Sequence, residues 1–213
     1  MSTTSPTGRR AEIFVLALIL LLALVARFRY LPTIEHNIDH AYPIWQAMTT
    51  LDRGALPVAG QETSVLFANP ALTGYLFLPV VALTRSPLAV YVLVIALNWL
   101  GVLLAYRAAR ALIPARLALV AAGLMAVNPW IIEYSRTSWV QSLLPFFMGA
   151  VAWLLWPVLM GQARRPGRRL LLALMMVTAL SQTYLLAFFV VVPAGLLLLI
   201  FRRRLLRRAL LVG

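Results

Sequence analysis

The stretch LAVYVLVIALNWLGVLLAY, Leu88 to Tyr106, runs nineteen residues without a charge and is closed by Arg107 and Arg110. As a helix it would be about 29 Å long, close to the hydrocarbon thickness of a bilayer. Similar runs lie on either side. Ala11–Phe28 is a first span, too long at its core and too poor in cleavage signals for a signal peptide. Further spans are read at 115–132 and 142–160. The thirty-two apolar residues from Leu170 to Phe201 would make one helix of about 48 Å, too long for a bilayer, with arginine clusters at both ends. Two short spans, 170–181 and 184–201, turning at Ser181-Gln182-Thr183 satisfy both facts.

Composition agrees. The 213 residues are 62% hydrophobic and 12% charged, which places the chain among integral membrane proteins. The net charge of +13 does not point to nucleic acid, because the arginines flank apolar runs and find their counter-charge in lipid headgroups. The absence of cysteine excludes disulfides and thiolate chemistry, and having only His36 and His40 argues against a histidine-rich metal cage.

Charge segregation sets the topology. Fourteen of the nineteen arginines fall in four clusters (Arg9–Arg10, Arg107–Arg116, Arg164–Arg169 and Arg202–Arg208), and five of the six carboxylates lie in the intervening segments on the other side. The positive-inside rule puts the amino terminus and the arginine clusters in the cytoplasm and Glu35, Asp39, Asp52, Glu62 and Glu133 outside. Parity then favours an interfacial or re-entrant helix for the apolar stretch at 70–84 over a crossing. The expected fold is an all-α polytopic transmembrane bundle of a single domain, with a long external first loop carrying interfacial helices. The run beginning at Ala209-Leu210-Leu211-Val212 suggests that further spans follow.

Two outer segments could carry chemistry. The first loop holds Glu35, His36, Asp39 and His40 a dozen residues beyond a helix end, near the membrane surface. There Asp39 could take a proton from an attacking hydroxyl. The plainer readings are a solvated carboxylate or the cap of a helix starting near Ala41. Glu35 and Asp39 share a face if the segment is helical, although Pro32 and Pro43 argue against a long helix. No cofactor is fixed by these residues. A divalent metal is the one group they leave room for, with Asp39 and His40, and Glu35 beside them, as ligand candidates. The second segment runs from Asn128-Pro129 through Glu133, Ser135 and Arg136 to Gln141. Arg136 suits a phosphate through its planar fork, or pairs with Glu133 three residues earlier. The tryptophans stand mostly near span boundaries, as an aromatic belt does.

Taken in order, these elements resemble the GT-C superfamily of membrane glycosyltransferases, in particular its dolichyl-phosphate-mannose protein mannosyltransferase-like and aminoarabinose transferase-like bacterial members. The likeness rests on Arg27-Phe28-Arg29-Tyr30-Leu31 at the exit of the first span and on Asp39-His40-Ala41-Tyr42 at an Asp-Glu-Ala-Tyr-like site. Asn69-Pro70-Ala71-Leu72 and the second outer loop from Asn128-Pro129 to Ser135-Arg136 complete it. The resemblance implies an inverting enzyme of the bacterial inner membrane that moves a sugar from a polyprenyl-phosphate donor to a hydroxyl acceptor on a glycan, lipid or protein. It makes Asp39 the catalytic base and Arg136 the candidate for the donor phosphate. His40 stands where the family has its second acid, and Gln141 where many members carry an acid in the second loop. Glu133, Glu35 and His40 are therefore the candidates for the missing acid or the acceptor site.

A non-catalytic membrane subunit or lipid-carrier transporter is the rival from another class. It requires polar residues lining a path through the spans, where Asn98 and Gln182 are the clearest. A third reading is an inactive piece of the enzyme, because such enzymes usually continue through several more spans.

Overall fold

A computed structural model describes residues 6–200, apart from 30, 32–36, 64–66, 188, 190, 194 and 198. Eight α-helices make up most of the described chain: α1 (Pro6–Phe28), α2 (Ile38–Arg53), α3 (Leu72–Thr84), α4 (Pro87–Arg110), α5 (Ala115–Val127), α6 (Pro129–Tyr134), α7 (Leu144–Leu159) and α8 (Pro166–Ser181). Short 3-10 turns at Val140–Leu143 and Leu185–Ala187 sit before α7 and after α8. Among the described residues there is no strand, only one antiparallel bridge between Glu62 and Ala68. The fold is an all-α bundle, and three helices are long and apolar enough to cross a membrane: Thr7–Phe28, Pro87–Arg110 and Val140–Leu159.

The helix α4 is the hub. Its Val90, Val94, Ile95 and Val102 are fully buried, and it packs most extensively on α7. Glycine makes that contact close. A Cβ on Gly149 would lie 3.1 Å from the Gly101 carbonyl oxygen and 3.3 Å from Leu104 Cβ, and one on Gly101 would lie 3.3 Å from the Phe146 backbone. In lipid, where apolar side chains gain little from leaving their solvent, such close backbone approach is what holds helices together. Gly149→Leu is therefore expected to cost about 1–3 kcal/mol by overpacking. A lowered melting midpoint of the detergent-solubilised chain would show it, and an unchanged midpoint would refute it. Asn98, fully buried on α4, donates from Nδ2 to Val94 O (3.0 Å) and to Ser142 O (2.8 Å), pinning the 3-10 turn that leads into α7.

The same small-residue logic builds the other side of α4. The buried residues of α5 are Ala118, Ala122 and Ala126, one every four positions, and they form a flat seam against α1 and α4. Leu117, Val120 and Leu124 point the other way and are exposed. The apolar run read as 115–132 is interrupted at Asn128. Asn128 accepts from the Ile131 N–H (3.1 Å) and so caps α6, and Pro129 lacks the N–H that would continue α5. Glu12 of α1, which neighbours Arg9 and Arg10 in sequence, instead accepts from Arg110 Nε (2.7 Å) and from the Tyr106 hydroxyl on α4.

The helix α2 forms in spite of Pro43 within it. Asn37 Oδ1 accepts from the His40 N–H (3.1 Å), which starts α2 at Ile38. Pro43 deletes only the bond that its N–H would make to the Asp39 carbonyl, close to the helix start. Ile44, Ala47 and Thr50 face inward, so α2 packs along α3. Gly54, with φ of 67°, closes α2 in the left-handed conformation by donating to Thr50 O (2.9 Å). Asp52 and Arg85 pair across the far ends of α2 and α3, but both are more than half exposed, so the pair adds little stability.

Candidate functional site

Capping by Asn37 settles one question about Asp39. The carboxylate is not the helix cap, and its place in the first turn of α2 leaves it free for other partners while the helix dipole favours its negative charge. Its Oδ1 accepts from Gln61 Nε2. Gln61 belongs to a loop folded back on itself: Gly60 N–H donates to Asn69 O (2.6 Å), Asn69 N–H to Gln61 O (2.8 Å) and Thr63 N–H to Phe67 O (2.9 Å). The loop is tied to α2 by Gln46 Nε2 on Ala59 O (2.7 Å) and to the segment after α8 by the Leu185 N–H on Asn69 Oδ1 (3.1 Å).

These ties enclose a cleft of about 370 Å³. Among the described residues that line it, Asp39 and Glu62 are carboxylates, Trp139 and Tyr184 form aromatic walls, and Gln61, Asn69 and Gln141 are amides. Gln141 Nε2 donates to the Tyr184 hydroxyl (2.9 Å), which joins the segment before α7 to the one after α8. The cleft thus draws on four separate parts of the chain. Trp139 also belongs to an aromatic row: its ring stacks on Tyr134 at 5.8 Å, Tyr134 on Trp130 at 6.4 Å, and the His40 ring lies 6.1 Å from Trp139 on the other side. Ser138 Oγ donates to the His40 carbonyl and so holds the start of α2 against this row.

The sequence-read candidates divide in their placement. Asp39 lines the cleft, and half-buried His40 adjoins it through Trp139. Gln141 lines it as well. Glu133 is exposed on α6 and Arg136 half-buried on the turn after it, and neither lines the cleft. Glu35 lies outside the described residues. The acid that does line the cleft beside Asp39 is Glu62, which sequence reading passed over as one more loop carboxylate. Trp139, read as part of an interfacial belt, is a cleft wall. Gln61 carries no signal in sequence and Tyr184 marks only the polar break in the last apolar run, since they reach Asp39 and Gln141 only through the fold. Among the described residues no three His, Asp or Glu side chains come together as a metal ion would need. Arg27 was read only as a helix exit. It is fully buried, and Nη1 donates to Ala23 O (3.0 Å) and Ala126 O (3.2 Å), binding α1 to the end of α5.

Chemically, the cleft offers one carboxylate whose orientation is fixed by an amide, a second carboxylate, and flat aromatic walls of the kind that pack against a sugar face. No family model matches the chain, and no curated protein matches it. Among solved structures, it is similar to the protein O-mannosyltransferase Pmt1-Pmt2 complex of S. cerevisiae bound to the sugar donor, with a TM-score of 0.68 at 18% identity. The likeness covers 97% of this chain and 29% of that one. The fold is GT-C-like. The match takes in nearly all of this chain, which spans less than a third of the neighbour's length.

Proposed function

We propose that this chain carries the catalytic base and part of the acceptor cleft of an inverting membrane glycosyltransferase. The donor is a sugar on a polyprenyl phosphate and the acceptor a hydroxyl of a glycan, lipid or protein, on the outer side of a bacterial inner membrane. The six apolar runs would cross the bilayer, with α3 lying at the interface. The observation that carries this reading is Asp39, held by Gln61 in a cleft that Glu62 also lines, in a GT-C-like bundle.

In the proposed reaction the acceptor O–H gives its proton to Asp39 as its oxygen attacks the anomeric carbon from the face opposite the phosphate. The bond from that carbon to the phosphate oxygen breaks, and its electron pair leaves with the polyprenyl phosphate, so the configuration inverts. Arg136, on the turn leading to Trp139, would offset the charge growing on the departing phosphate. Glu62 would orient the acceptor hydroxyl toward Asp39. The reading is tested by supplying radiolabelled polyprenyl-phosphate sugar to membranes containing this protein and looking for label on a hydroxyl acceptor. Transfer to water alone, or none, would refute it.

The placement of the second acid gives a sharper comparison. Glu62→Gln is expected to lower kcat/KM on the order of tenfold by loosening acceptor alignment. Glu133→Gln, exposed and outside the cleft, should leave transfer within about twofold of the parent, as surface changes usually do. The reverse order of effects would move the acceptor site to the second outer loop.

A further inference from the structure

The other end of α7 and α8 holds a different pocket. It lies where the end of α4, the end of α7 and the start of α8 meet, with a volume of about 880 Å³, and six arginines line it: Arg107, Arg110, Arg164, Arg165, Arg168 and Arg169. Among the described residues no carboxylate lines it. Glu12 neutralises Arg110 from α1 (2.7 Å), which leaves five guanidinium groups around one concavity. Like charges so arranged repel unless an anion sits between them.

We propose that this pocket binds the phosphodiester headgroup of an anionic phospholipid. Its mixed lining of arginines and apolar side chains favours a lipid over a soluble phosphate. Trp153, Leu154 and Leu172 give it an apolar wall on which the first methylenes of an acyl chain can lie, beside the arginines. It opens at the ends of α4 and α7, both long and apolar enough to cross a membrane, so its arginines stand at headgroup depth.

The arginines are also pre-set. Arg169 lies over the Trp153 ring at 5.3 Å and its Nη1 donates to Trp153 O (3.4 Å), which fixes one guanidinium against the wall. The turn between α7 and α8 is tied back by Gln162 N–H (2.8 Å) and Ala163 N–H (3.1 Å), both donating to Pro157 O. Gly161, with φ of 71°, allows the chain to reverse there. Arg165 precedes α8 without a side-chain cap, so the first amides of that helix add their own preference for an anion. The proposal rests on the chain lying in a bilayer and not on the chemistry of the Asp39 cleft, at the opposite ends of the same two helices.

The test titrates fluorescent phosphatidylglycerol, and separately phosphatidylcholine, into the detergent-solubilised full chain. The parent is compared with Arg164→Gln/Arg165→Gln/Arg168→Gln and with a control, Arg9→Gln/Arg10→Gln/Arg53→Gln, that loses the same charge elsewhere. Phosphatidylglycerol should bind saturably and phosphatidylcholine should not. The pocket variant should lose about 100-fold in affinity, with the control within a few-fold of the parent. Leu172→Trp, which fills the wall without touching a charge, should weaken binding on the order of tenfold and keeps the test valid if the triple variant is poorly folded. Equal binding of phosphatidylcholine, or an equal loss in the control, would overturn the proposal in favour of diffuse attraction. Full competition by inorganic phosphate at concentrations comparable to the lipid would overturn it in favour of a soluble anion.

Discussion

Asp39→Asn is expected to reduce sugar transfer by about 10²–10⁴-fold while leaving the bundle intact. The amide has the shape of the carboxylate and still accepts from Gln61 Nε2 through its oxygen, so the loop from Gly60 to Asn69 keeps its seat. What disappears is the anion that takes the acceptor's proton. Because Asn37 and not Asp39 caps α2, the substitution removes no helix cap, and the melting midpoint should move little. Transfer assays in membranes, beside a melting curve of the solubilised protein, separate the two effects. Retained turnover with an unchanged midpoint would remove Asp39 from the mechanism.

Gly60→Ala should be nearly as damaging, through position and not through charge. A Cβ at Gly60 would fall 2.6 Å from the Pro70 carbonyl oxygen and 3.0 Å from that of Asn69, both backbone atoms that cannot swing aside. The loop must open, and the next residue is Gln61, the partner of Asp39. A displacement of about 1 Å at a reacting group is worth up to roughly 100-fold in rate. The matching control is Gly167→Ala, where a Cβ meets nothing within 4 Å and transfer should be unaffected. Equal activity of the two variants would show that the loop does not position Asp39.

The parts of this molecule that can be read from sequence are those governed by the bilayer. The stretch from Leu88 to Tyr106 announces a helix because any other backbone there would leave polar groups unpaired in lipid. The arginines after Tyr106 and around Pro166 mark helix ends for the same solvent reason. Where water and protein compete as partners, the reading weakens. Pro43 hides α2, although one missing N–H near a capped start costs little against the burial of Ile44 and Ala47. Asp39 could be picked out by its place in a motif. Gln61, Trp139 and Tyr184, its neighbours in the cleft, come from three other parts of the chain, and only the packing of α2, α7 and α8 brings them together. Glu62 was passed over because a loop carboxylate looks alike whether it faces solvent or a cleft. The seam of Ala118, Ala122 and Ala126 is plain once α1 and α4 are seen against it, yet alanines in an apolar run carry no mark of the side they face.

The arginine pocket and the carboxylate cleft sit at opposite ends of one packed helix pair, and this has a mechanical meaning. On the proposed reading, guanidinium groups held in one headgroup plane fix how deeply α7 and α8 sit, and the length of α7, about 24 Å for its sixteen residues, sets the height of the cleft above that plane. The phosphate of a polyprenyl carrier has its own height, dictated by the lipid and not by the protein. Bilayer thickness then acts as a gauge block between donor and base. A membrane a few ångströms too thick or too thin would misalign the two without disturbing a single contact inside the protein.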